Sequence, residues 1–379
     1  MSTRTFATSR PPAERRTSSG PRPGPLLGTG LRLIALLAIA TRAWGEDRVT
    51  LQKPGAEGRV VVTGQIIEYS SAGLRLKPSP GGPEVTFPAE EVRAVEAPRQ
   101  ESHERALVRF KEGEFAEADR EFEQALSVEE RAWMRRELLA ELVRCGVARR
   151  NWVGAGTRFL ALHKSDPGTH HARVIPLAWK EIELTASGRS TARQWLRDKG
   201  DIARLMGASW LLFDAEEGRE AADALRRLSQ SAGGRWAELA YWQLRRSDAL
   251  KGRAVPGELA LWEKAAGQLP TDLQAGPAYL LGAAWRNLEE PSLAAAWWTR
   301  LTVLGRFDWQ LAATATREAG DALARIGQSQ EAELLWREVV AEFVGTEGAA
   351  EAAQRLRRDS KPASGAERRN SSDLNGITP

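Results

Sequence analysis

The chain has 379 residues, 42% apolar and 27% charged, a globular composition long enough for two or three domains. One cysteine excludes a disulfide framework, and with only four histidines little is left for a zinc site of four nitrogen and sulfur ligands. The formal charge of +4 belongs to residues 1–45, where seven arginines accompany a single acid, Glu14; the remainder is −2, so no nucleic-acid partner is expected.

Residues 1–45 read as a secretory signal peptide. An Arg-, Pro- and Ser-rich start precedes the apolar run Leu31 to Ala40, and Ala43-Trp44-Gly45 supplies the small–x–small site, with cleavage expected after Gly45. The run is shorter than the roughly 20 residues that span a bilayer. No stable membrane span is expected after cleavage, and an uncleaved N-terminal membrane anchor is the alternative. Export to the periplasm or cell envelope fits a chain whose only thiol is Cys145.

Residues 46–98 form a small β module. Arg59 to Tyr69 is a β-branched run, and Gly64 in its middle predicts a bulge or bend. Leu74 to Lys77 alternates apolar and polar. Val85 to Phe87 and Val92 to Val95 add short strands, with turns at 70–73 and 78–83. Five short strands in so few residues predict a small barrel or curled sheet. The strand order and bent second strand resemble SH3-like or Sm-like barrels. Such a module either caps the open end of the next domain or binds a peptide.

From residue 99 to 357 the spacing becomes helical. A small or apolar residue is followed by Ala twelve positions later, by an aromatic or Leu four after that, and by an apolar residue three further on. The copies are Ala106, Ala118, Phe122, Ala125; Val143, Ala155, Phe159, Leu162; Ser209, Ala221, Leu225, Leu228; Gly282, Ala294, Trp298, Leu301; and Gly320, Ala332, Trp336, Val339. A degenerate copy ends at Trp262 and Ala265, and the gap before Ser209 leaves room for another around Pro176 to Trp195. The small residue lets the second helix approach, its Ala faces it, and the aromatic fills the space toward the next pair. Turns are marked at Gly113-Glu114-Phe115, Glu217-Gly218, Glu290-Pro291 and Gly327-Gln328-Ser329.

This spacing resembles the tetratricopeptide repeat, best in GAAWRNLEEPSLAAAWWTRL, GDALARIGQSQEAELLWREV and ALVRFKEGEFAEADREFEQAL. The last copy, with Phe343 to Thr346 and Ala349 to Leu356, also looks like exported bacterial repeat proteins such as the Tol–Pal-associated coordinators; those carry an N-terminal coiled coil that this chain lacks, so their role is not carried over. The resemblance implies a mainly α fold, a right-handed α-solenoid of about seven TPR-like helix pairs following the β module. It also implies a concave face lined by the first helix of each pair, carrying Tyr279, Arg286, Asn287, Arg317 and Arg325 as a groove for another protein. Residues 358–379 are polar and expected to be disordered.

Little in the chain suggests chemistry. His163 and His170-His171 follow or flank a turn and read as a solvated loop rather than a metal site. The acidic pairs Glu90-Glu91, Glu129-Glu130, Glu216-Glu217 and Glu289-Glu290 fall at helix ends and turns. Cys145 reads as buried packing. Phosphate-cradling glycine motifs and a GxSxG elbow are absent. No catalytic, cofactor-binding or metal-binding residue is expected.

Fourteen tryptophans stand out. Most should pack helices, while Trp236, Trp242, Trp285 and Trp297 could line a groove. The expectation is therefore an exported, non-enzymatic protein-interaction scaffold. Two alternatives stay open: a peptidoglycan or carbohydrate binder with a Trp-rich groove, and an envelope enzyme whose acids come from separate repeats.

Overall fold

A computed structural model describes residues 46–359 except 54, 56–57 and 231–233; the expected signal peptide and nearly all of the expected tail lie outside the described residues. The described chain is mainly helical, with one antiparallel sheet at its N-terminal side.

The sheet comprises β1 (Asp47–Leu51), β2 (Val60–Ser70), β3 (Gly73–Pro78), β4 (Val85–Phe87) and β5 (Val92–Glu96), in the order β4-β3-β2-β1-β5. The bulge in β2 falls between Ile66 and Glu68 rather than at Gly64. Gly64 instead allows a close approach, since a Cβ there would lie 2.2 Å from the Lys77 carbonyl oxygen. Val49, Leu51, Ile66, Leu74 and Leu76 turn inward and close over Trp133 and Met134 of the helical region. The sheet therefore shares its core with the helices.

The helices are α1 (Glu101–Lys111), α2 (Phe115–Val128), α3 (Ala132–Ala148), α4 (Trp152–Ser165), α5 (Ala186–Leu196), α6 (Asp201–Leu211), α7 (Gly218–Gln230), α8 (Arg235–Leu250), α9 (Pro256–Gln268), α10 (Ala275–Asn287), α11 (Pro291–Thr299), α12 (Leu301–Leu304), α13 (Trp309–Arg325), α14 (Ser329–Glu342) and α15 (Glu347–Asp359). Helix α15 runs two residues into the stretch expected to be disordered. Close hairpins form from α1/α2, α3/α4, α6/α7, α10/α11 and α13/α14. Helices α8 and α9 stand further apart and meet through the rings of Trp242 and Trp262, 6.3 Å between centroids.

Every residue of the five regular copies is buried. The partner of the small residue differs from the expected one in the last two copies. A Cβ on Gly282 would lie 2.5 Å from Trp298 Nε1, and one on Gly320 2.5 Å from Trp336 Nε1. There the aromatic sits directly on the glycine, inside its own hairpin.

The hairpin turns share one backbone device. Gly113, Arg150, Gly252, Glu289 and Gly327 all take positive φ, between 58° and 81°. The next residue in each case donates its N–H to the carbonyl five back: Glu114 to Arg109, Asn151 to Gly146, Arg253 to Asp248, Glu290 to Trp285 and Gln328 to Leu323. This is the Schellman cap, which satisfies a carbonyl at the helix end. Glycine adopts that φ without strain, whereas Glu289 does not. Glu289→Gly is expected to stabilise the chain by up to about 1 kcal/mol in urea unfolding.

Two features depart from an open stack of about seven pairs. First, residues 166–185 form no helix pair; they run as a turn, a short 3-10 segment at Ala172–Val174 and then a non-helical stretch, and α5 packs instead against α6, where a Cβ on Gly207 would lie 2.5 Å from the Leu196 nitrogen. Pro167, Gly168 and Pro176 interrupt helix there.

Second, the last helices return to the first. The ring of Trp309 lies between Phe110 and Phe343, at 5.5 and 5.1 Å. The backbones at Gly113 and Gly345 touch, a Cβ on Gly113 lying 2.8 Å from Gly345 Cα. Arg144 Nε donates to the Phe307 carbonyl at 3.1 Å, and Arg150 pairs with Glu347 at 2.8 Å. The helical array is thus closed on itself.

Candidate functional site

Closure puts the first helices of the hairpins in a circuit: α3 touches α13, α13 touches α10, α10 touches α8, and α8 touches α6, which meets α4. The stretch from Ile175 to Trp179 passes among them and is buried at five successive positions. Its main chain is held by side chains of the surrounding helices. The Ala178 N–H donates to Ser209 Oγ at 2.9 Å, and Trp210 Nε1 donates to the Pro176 carbonyl at 2.7 Å. Arg246, 1% exposed, donates to the Ala178 carbonyl, to the Ser209 carbonyl at 2.7 Å and to Gln243 Oε1 at 2.9 Å. Trp179 lies on Gly276, where a Cβ would come within 2.1 Å of the ring.

Beyond Trp179 the segment reaches the surface beside a cleft of about 270 Å³. One wall is residues 179–183. The other comes from the α3–α4 turn with Arg150 and Trp152, and from the starts of α13 and α15 with Gln310 and Glu347; Val147, Leu177 and Leu311 supply apolar lining.

The charges of this cleft are arranged unequally. Lys180 at 3.3 Å and Arg150 at 2.8 Å both hold Glu347, and Lys180 above all keeps its carboxyl below the usual range. Asp308 caps α13 by accepting from the Leu311 N–H at 3.0 Å, and burial pushes its carboxyl up. Glu181 and Glu183 are exposed and form no ion pair among the described residues.

The five residues expected to form a groove are distributed differently. Tyr279 is 4% exposed, and its carbonyl accepts from Trp298 Nε1 at 3.1 Å, so it packs inside the hairpin rather than lining a surface. Arg286 pairs with Glu318 at 2.6 Å, and Asn287 donates to the Ala249 carbonyl at 2.7 Å. Arg317 is shared among Glu318, Asp321 and Glu351, and Arg325 is exposed. None of the five lines the cleft. Sequence reasoning missed the residues that do, because Asp308, Gln310 and residues 179–183 sit at helix starts or outside helices, where repeat spacing carries no signal.

Most of the tryptophans pack helices, while Trp152 and Trp179 also line the cleft. Among the described residues none is fully exposed, and Trp242 is wholly buried instead of lining a groove. Trp285 and Trp297 both donate to Glu263 Oε1, at 2.9 and 3.1 Å. Trp236 meets Phe159 and His163 edge-on.

The histidine pair is not a solvated loop. His170 stacks on Tyr69 of the sheet at 4.2 Å and touches His171 at 4.0 Å, both part-buried, and burial lowers their pKa values, to about 4 for His170. No group of metal-ligating residues occurs among the described residues. The acidic pairs lie at helix ends and turns, and Cys145 is buried in α3 with its thiol pKa pushed up by burial.

His103 in α1 is fully buried against Phe122, with neither ring nitrogen hydrogen-bonded, and burial lowers its pKa from 6.5 to about 4. The unfolded chain then takes up a proton between pH 6.5 and 4 that the folded chain refuses. This contribution to stability is complete above about pH 6.5 and is lost as pH falls toward 4. Stability in urea unfolding should fall between pH 7.5 and 5, with His170 and His171 contributing in the same direction, and His103→Phe should reduce that loss by about 2 kcal/mol.

The sequence matches no protein-family model, and no curated protein matches it. Among the described residues no helix is long and apolar enough to cross a membrane.

Proposed function

We propose that the chain is an exported, non-enzymatic protein-interaction scaffold, a TPR-like α-solenoid closed on itself and preceded by a small barrel-like β module. The observation that carries this reading is the cleft beside residues 179–183, bounded by the α3–α4 turn and the starts of α13 and α15 and offering apolar, charged and main-chain groups together. Export rests on the leader pattern of residues 1–45, and the periplasm or cell envelope is the corresponding address. The test is a pull-down from cross-linked envelope extract with the wild-type chain and with Gln310→Trp, which narrows the cleft at its rim. A reproducible set of proteins retained by the wild type and lost by the variant is expected. Retention of glycan fragments in place of proteins would overturn the reading.

One observation favours an enzyme instead. Asp308 and Glu347 line the same cleft with pKa shifts of opposite direction, as an acid and a base would. The scaffold reading is preferred because both groups already have structural work. Asp308 caps α13, and Glu347 is held by two cations. Hydrolysis of peptidoglycan fragments by the wild type, abolished in both Asp308→Asn and Glu347→Gln, would reverse this preference.

A further inference from the structure

The wall of the cleft at Lys180 to Glu183, with Leu184 continuing it beyond the cleft, has the character of an unpaired strand edge. Exposure alternates along it: Lys180, Ile182 and Leu184 are half-buried, and Glu181, Glu183 and Thr185 are exposed. Period two is the pattern of an extended chain lying on a surface. Among the described residues, the main-chain N–H and C=O groups of Lys180–Leu184 make no hydrogen bond. Upstream the chain is anchored, since the Ala178 N–H and carbonyl are held by Ser209 and Arg246. A row of free donors and acceptors on an anchored segment is a template for pairing with another chain.

We propose that the cleft binds an extended peptide of a partner protein by strand addition, the peptide main chain pairing with that of Lys180–Leu184. This rests on the scaffold reading and specifies its mode of binding. Main-chain pairing supplies affinity, and alternate side chains supply specificity. One set of peptide side chains faces the apolar lining of Val147, Leu177 and Leu311. Glu181 and Glu183 form no ion pair among the described residues, Glu181 meeting only the field of the buried Arg246, while the two cations at the cleft, Lys180 and Arg150, are already bound to Glu347. The partner segment therefore carries basic residues beside apolar ones.

The probe is a set of peptides selected from a random phage-displayed dodecamer library on the full chain, resynthesised with a fluorescent label and measured by anisotropy. Selected peptides should be enriched in Lys or Arg alternating with apolar residues. N-methylation at every second residue should weaken binding at least tenfold in one register and little in the other, because alternate N–H groups of a strand point to opposite sides. Glu183→Pro, which removes an N–H unused in the fold, should weaken binding similarly. Glu181→Lys with Glu183→Lys should shift preference to acidic peptides.

Peptides that are lost with Gln310→Trp but indifferent to N-methylation in both registers would overturn strand addition and leave the scaffold reading standing. Failure to enrich any peptide, or equal binding to Gln310→Trp, would overturn both.

Discussion

Gly113→Ala is expected to destabilise the chain by about 3–4 kcal/mol, while Gly327→Ala costs only about 1–2 kcal/mol. Both glycines end a first helix with nearly the same φ, 78° and 81°. A Cβ carries the left-handed penalty at either position. At Gly327 it would meet nothing within 4 Å, whereas at Gly113 it would lie 2.7 Å from the backbone of Val344. The extra cost at Gly113 is therefore the cost of separating the first hairpin from the turn before α15. Urea unfolding of the two variants measures it by difference. Equal losses would mean that the ends of the array do not bear on one another.

Arg246→Met is expected to cost about 3–5 kcal/mol, a loss typical of removing one partner from a buried charged network. Methionine follows the arginine stem but offers no donor. Its introduction strands the carbonyls of Ala178 and Ser209, each buried and each costing about 1–3 kcal/mol when unsatisfied, and leaves Gln243 Oε1 with the Ser209 hydroxyl as its donor. Burial lowers the Arg246 pKa to about 9, so the group stays charged at neutral pH and its burial offsets some of what its bonds contribute. Ser209→Ala removes two neutral bonds, the one its hydroxyl accepts from the Ala178 N–H and the one it donates to Gln243 Oε1, and should cost about 2 kcal/mol. An Arg246→Met variant as stable as the wild type in urea would show that apolar packing of Leu177 and Trp179 alone holds the segment.

The repeat spacing was legible because it records close approach. Ala118, Ala155, Ala221, Ala294 and Ala332 each lie where a larger side chain would push neighbouring helices apart, and all are wholly buried. The same logic misread residues 176–185. Leu177, Ala178 and Trp179 have the composition of a helix face, and composition reports burial without reporting the path of the backbone. Their partners, Arg246 and Gln243, read as ordinary polar helix positions. The αL turn at Arg150 carries no glycine and gave no turn signal, whereas the one at Glu289 was marked by the Glu290-Pro291 that follows it.

Closure had no local signature at all. It joins Phe110 to Trp309 and Gly113 to Gly345, pairs that nearest-neighbour repeat reasoning never brings together. Tyr279, assigned to a groove because it lies on a first helix, is buried against Trp298.

Native-state hydrogen exchange on Trp309→Ala tests the closed array most directly. Trp309 belongs to α13, yet its ring bridges Phe110 of α1 and Phe343 beyond α14. Closure predicts that amides of α1 and α2 lose protection together with those of α13 to α15, while α6 to α8 keep theirs. Loss confined to α13 to α15, with α1 and α2 as protected as in the wild type, would contradict it.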